Sequence, residues 1–273
     1  MNETIALSRG ERWLRALAGT PAGNAPVRYA DAALGAEPAR FIAVVPDPEN
    51  RFPRARDNVI GLEQGWRLAQ AVRETLNTDA TAAAKRPIVA IVDVKSQAYG
   101  YREEMLGIHL ACAAAVDAYA SARLAGHPIV ALIVGPAMSG AFLAHGYQAD
   151  RILALDAPGT MVHAMGKEAA ARVTRRCVEA LDELGETITP MSYSLKGGFA
   201  KLGLLDQLIE GVDADAPTDT QIATVRAALE AAVAAARNGS RELSRRLDSE
   251  TARTTRAASI EVRRRLASQW DAD

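Results

Sequence analysis

Cysteine is almost absent from this chain: Cys112 and Cys177 stand far apart in 273 residues, each inside a helical-looking stretch. That excludes a disulfide framework and offers no metal-ligand spacing, so both are expected to be packed thiols. An excess of charge is missing too. With 32 Lys and Arg against 33 Asp and Glu, no global basic field recommends nucleic acid or an anionic membrane as a partner. A small ligand or another protein is expected instead. No apolar run approaches the length of a membrane span, and the first residues lack a basic segment followed by a continuous apolar one, so the expected location is cytoplasmic. The four histidines, at positions 109, 127, 145 and 163, recur at one interval but fall on different elements without a close i, i+4 pair. No metal site is expected from them, and no internal repeat is visible.

What is present is apolar sequence in short blocks. Apolar residues make up 49% of the chain, enough for a substantial core. Residues 1–40 are rich in Ala, Gly and Pro and read as an N-terminal arm, with one amphipathic helix near 8–18 whose Trp13, Leu14 and Leu17 share a face. "FIAVVPD" reads as the first strong strand, followed by a helix over about 57–77 with Asp57 as N-cap. "PIVAIVDV", the loop "KSQAYGY", a helix over about 103–124 and the strand "PIVALIVG" come next. After them stand a short helix, "RILALD" and "TMVHAM". Continuously apolar strands alternating with helices require a covered, largely parallel sheet, which makes the class α/β. Beyond residue 212 the pattern is helical: one helix over about 219–237, a break at "NGS", and a highly charged helix over about 241–270.

The stretch "GPAMSGAFLAHG" places Gly135, Ala137, Ser139 and Gly140 where a strand turns into a helix. Read alone, this is a turn in which Ser139 caps the next helix. Its sharper reading is a hole lined by main-chain N–H groups, because a helix N-terminus carries unpaired donors at the positive end of its dipole. A second donor would come from "KSQAYGYREEM", the corner after the preceding strand, at Tyr99 or Gly100. Two such corners converging on one atom make an oxyanion hole.

The spacing G-x-A-x-[SG]-G from Gly135 to Gly140 resembles the oxyanion loop of the crotonase superfamily, and "YGYREEMLG" resembles its other corner. The longer segments, "DVKSQAYGYREEMLGIHLACAAAVDAYASARLAGHPIVALIVGPAMSGAFLAHGYQADRILALD" and "HAMGKEAAARVTRR", resemble the gamma subunits of biotin-independent malonate decarboxylases, relatives of the carboxyltransferase domains of acyl-CoA carboxylases. The likeness covers about 41–211. It implies a crotonase-like (ββα spiral), carboxyltransferase-type domain over 41–211, with the arm before it and a helical C-terminal extension over 212–273.

The same resemblance implies a function. A malonyl thioester on the CoA-derived, phosphopantetheine-type arm of an acyl carrier protein loses CO2 to give an acetyl thioester. The site is shared with a homologous beta subunit, no biotin is used, and a transferase subunit serves the carrier protein. Gly140 matches the oxyanion glycine, Gly100 or Tyr99 supplies the other donor, and Ser139 orients the corner. Ala98, Met138 and Arg102 are expected to meet substrate. For the proton that the enolate needs, the candidates are His163, His145, Tyr99 and a water molecule. Hydration is disfavoured, because Leu143 stands where a hydratase needs a carboxylate and "DAPGTM" offers Gly159 or Thr160 at the second acid position.

Lys167, Arg172, Arg175 and Arg176 form either an exposed basic helix side or a docking patch for an acidic carrier or phosphates. Two rival functions stay open: a biotin-dependent carboxyltransferase subunit and a non-catalytic scaffold subunit.

Overall fold

The computed structural model describes residues 7–270. Two compact units divide the chain: one comprises the residues up to Met165 together with Gln207–Arg241, and the other Gly166–Asp206 with the residues from Glu242 onward.

The first unit begins with α1 (Arg9–Ala18), whose N-cap Ser8 accepts a hydrogen bond from the Glu11 amide, satisfying one of the orphan donors of a helix start. Next come β1 (Val27–Leu34) and β2 (Glu37–Val44), paired antiparallel along their whole lengths. The expected arm is therefore part of the core. Trp13, Leu14 and Leu17 are at most 1% exposed and pack against the strands, while the Trp13 indole donates to the Ala214 carbonyl at 3.0 Å. The amphipathic face of α1 and the alternation along β1 gain their stability only when the sheet covers them. Trp13→Ala is expected to cost about 3–5 kcal/mol. Urea unfolding measures this; a cost below about 1 kcal/mol would restore the arm reading.

After β3 (Val59–Ile60), α2 (Leu62–Thr78) starts at Gly61 rather than Asp57. Asn58 takes φ 44°, Val59 and Ile60 pair with a second short strand, and Asp57 bonds Lys95 at 2.7 Å. These contacts use the residues that a longer helix would need.

Strands β4 (Ile88–Val94) and β5 (Ser96–Gln97) are followed by α3 (Tyr101–Met105) and α4 (Ile108–Leu124). The single helix expected over 103–124 is thus two, because Gly107 adopts φ 81°, a left-handed conformation that interrupts the helix. Then follow β6 (Ile129–Met138), α5 (Ser139–Ala144), β7 (Arg151–Leu155) and β8 (Met161–His163).

The large sheet runs β1-β2-β4-β6-β7 and ends on β9 (Gln207–Ile209), with β8 beside the end of β6. Apart from the first pair it is parallel. Every residue of β4 is buried, which accounts for its unbroken apolar run: a strand covered on both faces has no solvent side. α8 (Asp219–Arg237) is capped by Thr218 and Gln221 in a reciprocal box and buries Val225, Leu229 and Val233 in the core.

The second unit contains α6 (Lys167–Thr174) and α7 (Val178–Thr187), joined by a small cluster of Ala170, Ala171 and Leu181. The charged C-terminal stretch is three pieces rather than one helix: a 3-10 turn at Leu243–Leu247, α9 (Glu250–Thr255) and α10 (Ala257–Trp270). Ser249 caps α9, and Arg245 binds Asp206 at 2.9 Å. The extension expected over 212–273 is divided as well, because α8 belongs to the first unit. Cys177 is exposed, against the expectation of a packed thiol, while Cys112 is half-buried. Among the described residues, no helix is long and apolar enough to cross a membrane.

Candidate active site

Ligands bind open parallel sheets beyond the carboxyl ends of the strands, and two neighbouring strands end here in strand-to-helix corners. β4 and β6 run side by side until the register shifts between Val92 and Val94, after which Val94 faces Ala137. That irregularity frees the chain ends to diverge. One leads through Gln97, Ala98, Tyr99 and Gly100 into α3, the other through Met138 into α5.

Side chains join the two corners. The Tyr99 hydroxyl lies 3.2 Å from Ser139 Oγ and accepts a hydrogen bond from Gln97 Nε2. The Gln97 carboxamide also lies across Gly140: a Cβ there would stand 3.1 Å from Cδ, 3.1 Å from Oε1 and 3.2 Å from Nε2. Gln97 was not among the residues singled out from sequence. Nothing in "KSQAYG" marks it, since only the fold brings it onto the other corner.

Ser139 does not cap α5. It is the first helical residue, at φ 59°, and its hydroxyl meets Tyr99 instead. A left-handed serine costs on the order of 1–2 kcal/mol, so the fold holds this corner in a strained form. Gly140 is the second residue of α5, where an amide has no acceptor within its own helix. On the other corner the Ala98 amide is committed to the Ile60 carbonyl at 2.9 Å, leaving Tyr99 or Gly100 for a donor. Gly100 is the N-cap of α3, and the space beside its Cα is filled by Glu103 and Arg54.

The other expected residues separate. The Ala98 side chain is 2% exposed and packs with Leu62 and Ile108, so it presents no side-chain surface to a substrate. Met138 is buried and pairs with His163 across the β6–β8 ladder, which sets His163 directly beside the Ser139 corner. Arg102 is exposed on the first turn of α3. Leu143 is 49% exposed and Thr160 is buried against the Val134 carbonyl, so neither hydratase position carries a carboxylate. The basic residues of the second unit diverge as well: Lys167 binds Asp182 at 2.6 Å, and Arg172, Arg175 and Arg176 are exposed.

His145 drops out as a proton donor. It is fully buried, its Nε2–H donates to the Ile91 carbonyl at 2.9 Å, and its Nδ1 accepts from the Tyr119 hydroxyl at 3.0 Å. Burial holds the ring neutral, with its pKa pushed down to about 4. The unfolded chain takes up this proton below about pH 6.5, so stability is complete above that value and falls as pH drops toward 4, by roughly 3 kcal/mol in all. Proton NMR should show His145 neutral down to about pH 4; titration near 6.5 would refute its placement. His127 is structural too, its Nδ1 2.9 Å from the Arg86 carbonyl, while His109 is exposed on α4. No cluster of His, Cys, Asp and Glu suited to a metal ion occurs among the described residues.

Behind the Ser139 corner stands a residue that sequence reasoning overlooked. Asp93, 5% exposed, accepts from the Gly10 amide at 3.0 Å and from Asn58 Nδ2 at 2.9 Å, and burial pushes its carboxyl pKa up. It ties α1 to the ends of β4 and β6.

A largely parallel sheet with strand-to-helix corners at the ends of two neighbouring strands is a fold that this chain shares with a carboxyltransferase. The structure of transcarboxylase 12S superimposes on 85% of this chain and 45% of its own with a TM-score of 0.59 at 20% identity, a likeness of fold. The chain belongs to the malonate decarboxylase gamma-subunit family: the family model for MdcE, malonate decarboxylase gamma subunit, matches residues 55–270. A chain of a Pseudomonas malonate decarboxylase hetero-tetramer solved with coenzyme A is similar over 96% of this chain and 100% of its own, with 53% identity and a TM-score of 0.90. The malonyl-S-ACP:biotin-protein carboxyltransferase MADD of Malonomonas rubra is 42% identical over 166 residues, 60% of this chain and 56% of that relative's length.

Proposed function

We propose that this chain, together with a homologous beta subunit, decarboxylates a malonyl thioester carried by an acyl carrier protein. The observation that carries the proposal is the joining of two donor-bearing corners through Tyr99 and Ser139, with no carboxylate at the two positions that hydration requires. When the bond to the carboxylate breaks, its electron pair flows onto the thioester carbonyl and an enolate forms. A site that accelerates this step must hold the oxyanion more tightly than the ground-state carbonyl. The Gly140 amide and an amide at Tyr99 or Gly100 are assigned that task. The substrate arrives on a CoA-derived arm, in keeping with the coenzyme A of the Pseudomonas complex and the malonyl-S-ACP of the Malonomonas relative. A transferase subunit that loads the carrier completes the set of partners.

An apolar rim supports a shared site. Tyr101, Met105, Leu106 and Leu110 are 56–82% exposed on α3 and the start of α4, the kind of patch that a partner covers. The Pseudomonas relative is itself a hetero-tetramer. CO2 release from malonyl-CoA, measured for this chain alone and with its beta subunit, is expected only for the pair. Activity of the isolated chain would refute the shared site, and inactivity of both would favour a scaffold. The Malonomonas relative, a biotin-protein carboxyltransferase, gives one specific reason to keep a second reading. Inhibition by avidin would establish that reading, and indifference to avidin is expected.

A further inference from the structure

The reaction proposed above ends with a proton on the enolate carbon, and the structure contains a group arranged to supply it. We infer that Gln97 is a positioning residue that holds Tyr99 as the proton donor, an inference that rests on the decarboxylase reading. Gln97 Nε2 donates to the Tyr99 hydroxyl oxygen, and Ser139 Oγ lies 3.2 Å from the same oxygen. The phenol oxygen accepts from Gln97, and with the Ser139 hydroxyl turned to donate to it as well, the phenol keeps its own proton free to leave. The same two donors stabilise the phenolate left behind, since hydrogen bonds to an ionised oxygen are the stronger kind.

The balance is simple. The C–C bond to CO2 breaks and leaves its electron pair on the enolate; the Tyr99 O–H bond breaks, a C–H bond forms, and the charge moves to the phenolate. Tyr99 is 53% exposed, so water returns the proton. His145, fully buried between Ile91 and Tyr119, has its one ring proton committed to the Ile91 carbonyl.

Gln97 is fixed for this task from two sides. Its carboxamide lies on Gly140, which leaves no room for a side chain there without displacing it. Its Oε1 is shut off from solvent and accepts no hydrogen bond from a described residue. A buried acceptor without a donor is a cost to the fold. Turning the amide over would let Oε1 accept the Tyr99 proton and withhold it from substrate. The observed orientation gives up that bond and leaves the phenol proton available.

The test uses this chain assembled with its beta subunit and malonyl-CoA as probe. Gln97→Met keeps the packing on Gly140 but has no N–H, and Gln97→Glu is isosteric but accepts where glutamine donates. Both are expected to lower kcat about 10- to 100-fold with KM nearly unchanged, and Tyr99→Phe to lower it about 100-fold. The Gln97→Met/Tyr99→Phe double variant should be no slower than Tyr99→Phe alone, because the two act as one unit. Deuterium exchange into the methyl group of acetyl-CoA, the protonation step run backwards, should fall in parallel. Wild-type kcat in Gln97→Met, or a double variant whose loss is the product of the single losses, would overturn the role of Gln97. Failure of the wild-type pair to release CO2 would instead overturn the reading of the reaction, and the role of Gln97 with it.

Discussion

Gly140→Val is expected to lower turnover of the assembled enzyme about 100- to 1,000-fold, as much as losing one oxyanion donor usually costs, with little change in stability. The valine side chain screens and shifts an amide that the substitution leaves in place. The asymmetry follows from what surrounds the residue. The three atoms nearest a Cβ at position 140 all belong to the Gln97 carboxamide, at 3.1–3.2 Å. That side chain can yield by a few tenths of an ångström, but in yielding it releases Tyr99 and shifts the amide beside it. Valine is no worse in a first helical turn than glycine, so the cost is confined to the site. Steady-state kinetics and thermal unfolding on one preparation decide the matter. A variant that loses stability in step with activity would show Gly140 to be a packing glycine, and an active variant would leave the scaffold reading standing.

Gly135→Ala is expected to do the opposite, costing about 2–6 kcal/mol of stability: overpacking of a rigid site contributes about 1–3 kcal/mol and the weakening of hydrogen bonds to a carboxylate a similar amount. A methyl group at position 135 would stand 2.3 Å from Asp93 Oδ1 and 2.9 Å from its Cγ. Asp93 is held in place, because the Gly10 amide and Asn58 bind its other oxygen in a buried setting. Displacing it detaches α1 from the strand ends that carry both corners. Urea unfolding should give a lower midpoint with an unchanged slope. A loss below about 1 kcal/mol would mean that Asp93 moves freely and does not brace the corner.

The legible part of this fold is the part where burial dictates the residue type. β4 and β6 show as apolar runs because both of their faces are covered, and α8 shows as a periodic helix because one face packs on the sheet. β1 was hidden by composition: an edge strand built from alanines and charged residues has no long apolar run, and its burial depends on α1. β2 was legible only in its second half, where Phe41–Val44 open the apolar run "FIAVV". The division of the 101–124 region turned on Gly107, whose positive φ no flanking residue announces.

In the site, the glycine corners were visible as breaks after apolar strands. Ser139 was misread because serine at a helix start ordinarily caps it, whereas here its backbone is left-handed and its hydroxyl is spent on Tyr99. Gln97 and Asp93 gave no sequence signal, since Gln97 packs on Gly140, 43 positions away, and Asp93 accepts from the amide of Gly10, 83 positions away.

The central claim is that the two corners polarise a thioester carbonyl, and vibrational spectroscopy reads this directly. Infrared difference spectra of the assembled pair with acetyl-CoA labelled with 13C at the carbonyl should show the C=O stretch moved to lower frequency than in water, and the shift should be lost in Gly140→Val. A bound thioester whose carbonyl stretch matches that in water, or a shift that survives Gly140→Val, would contradict the account.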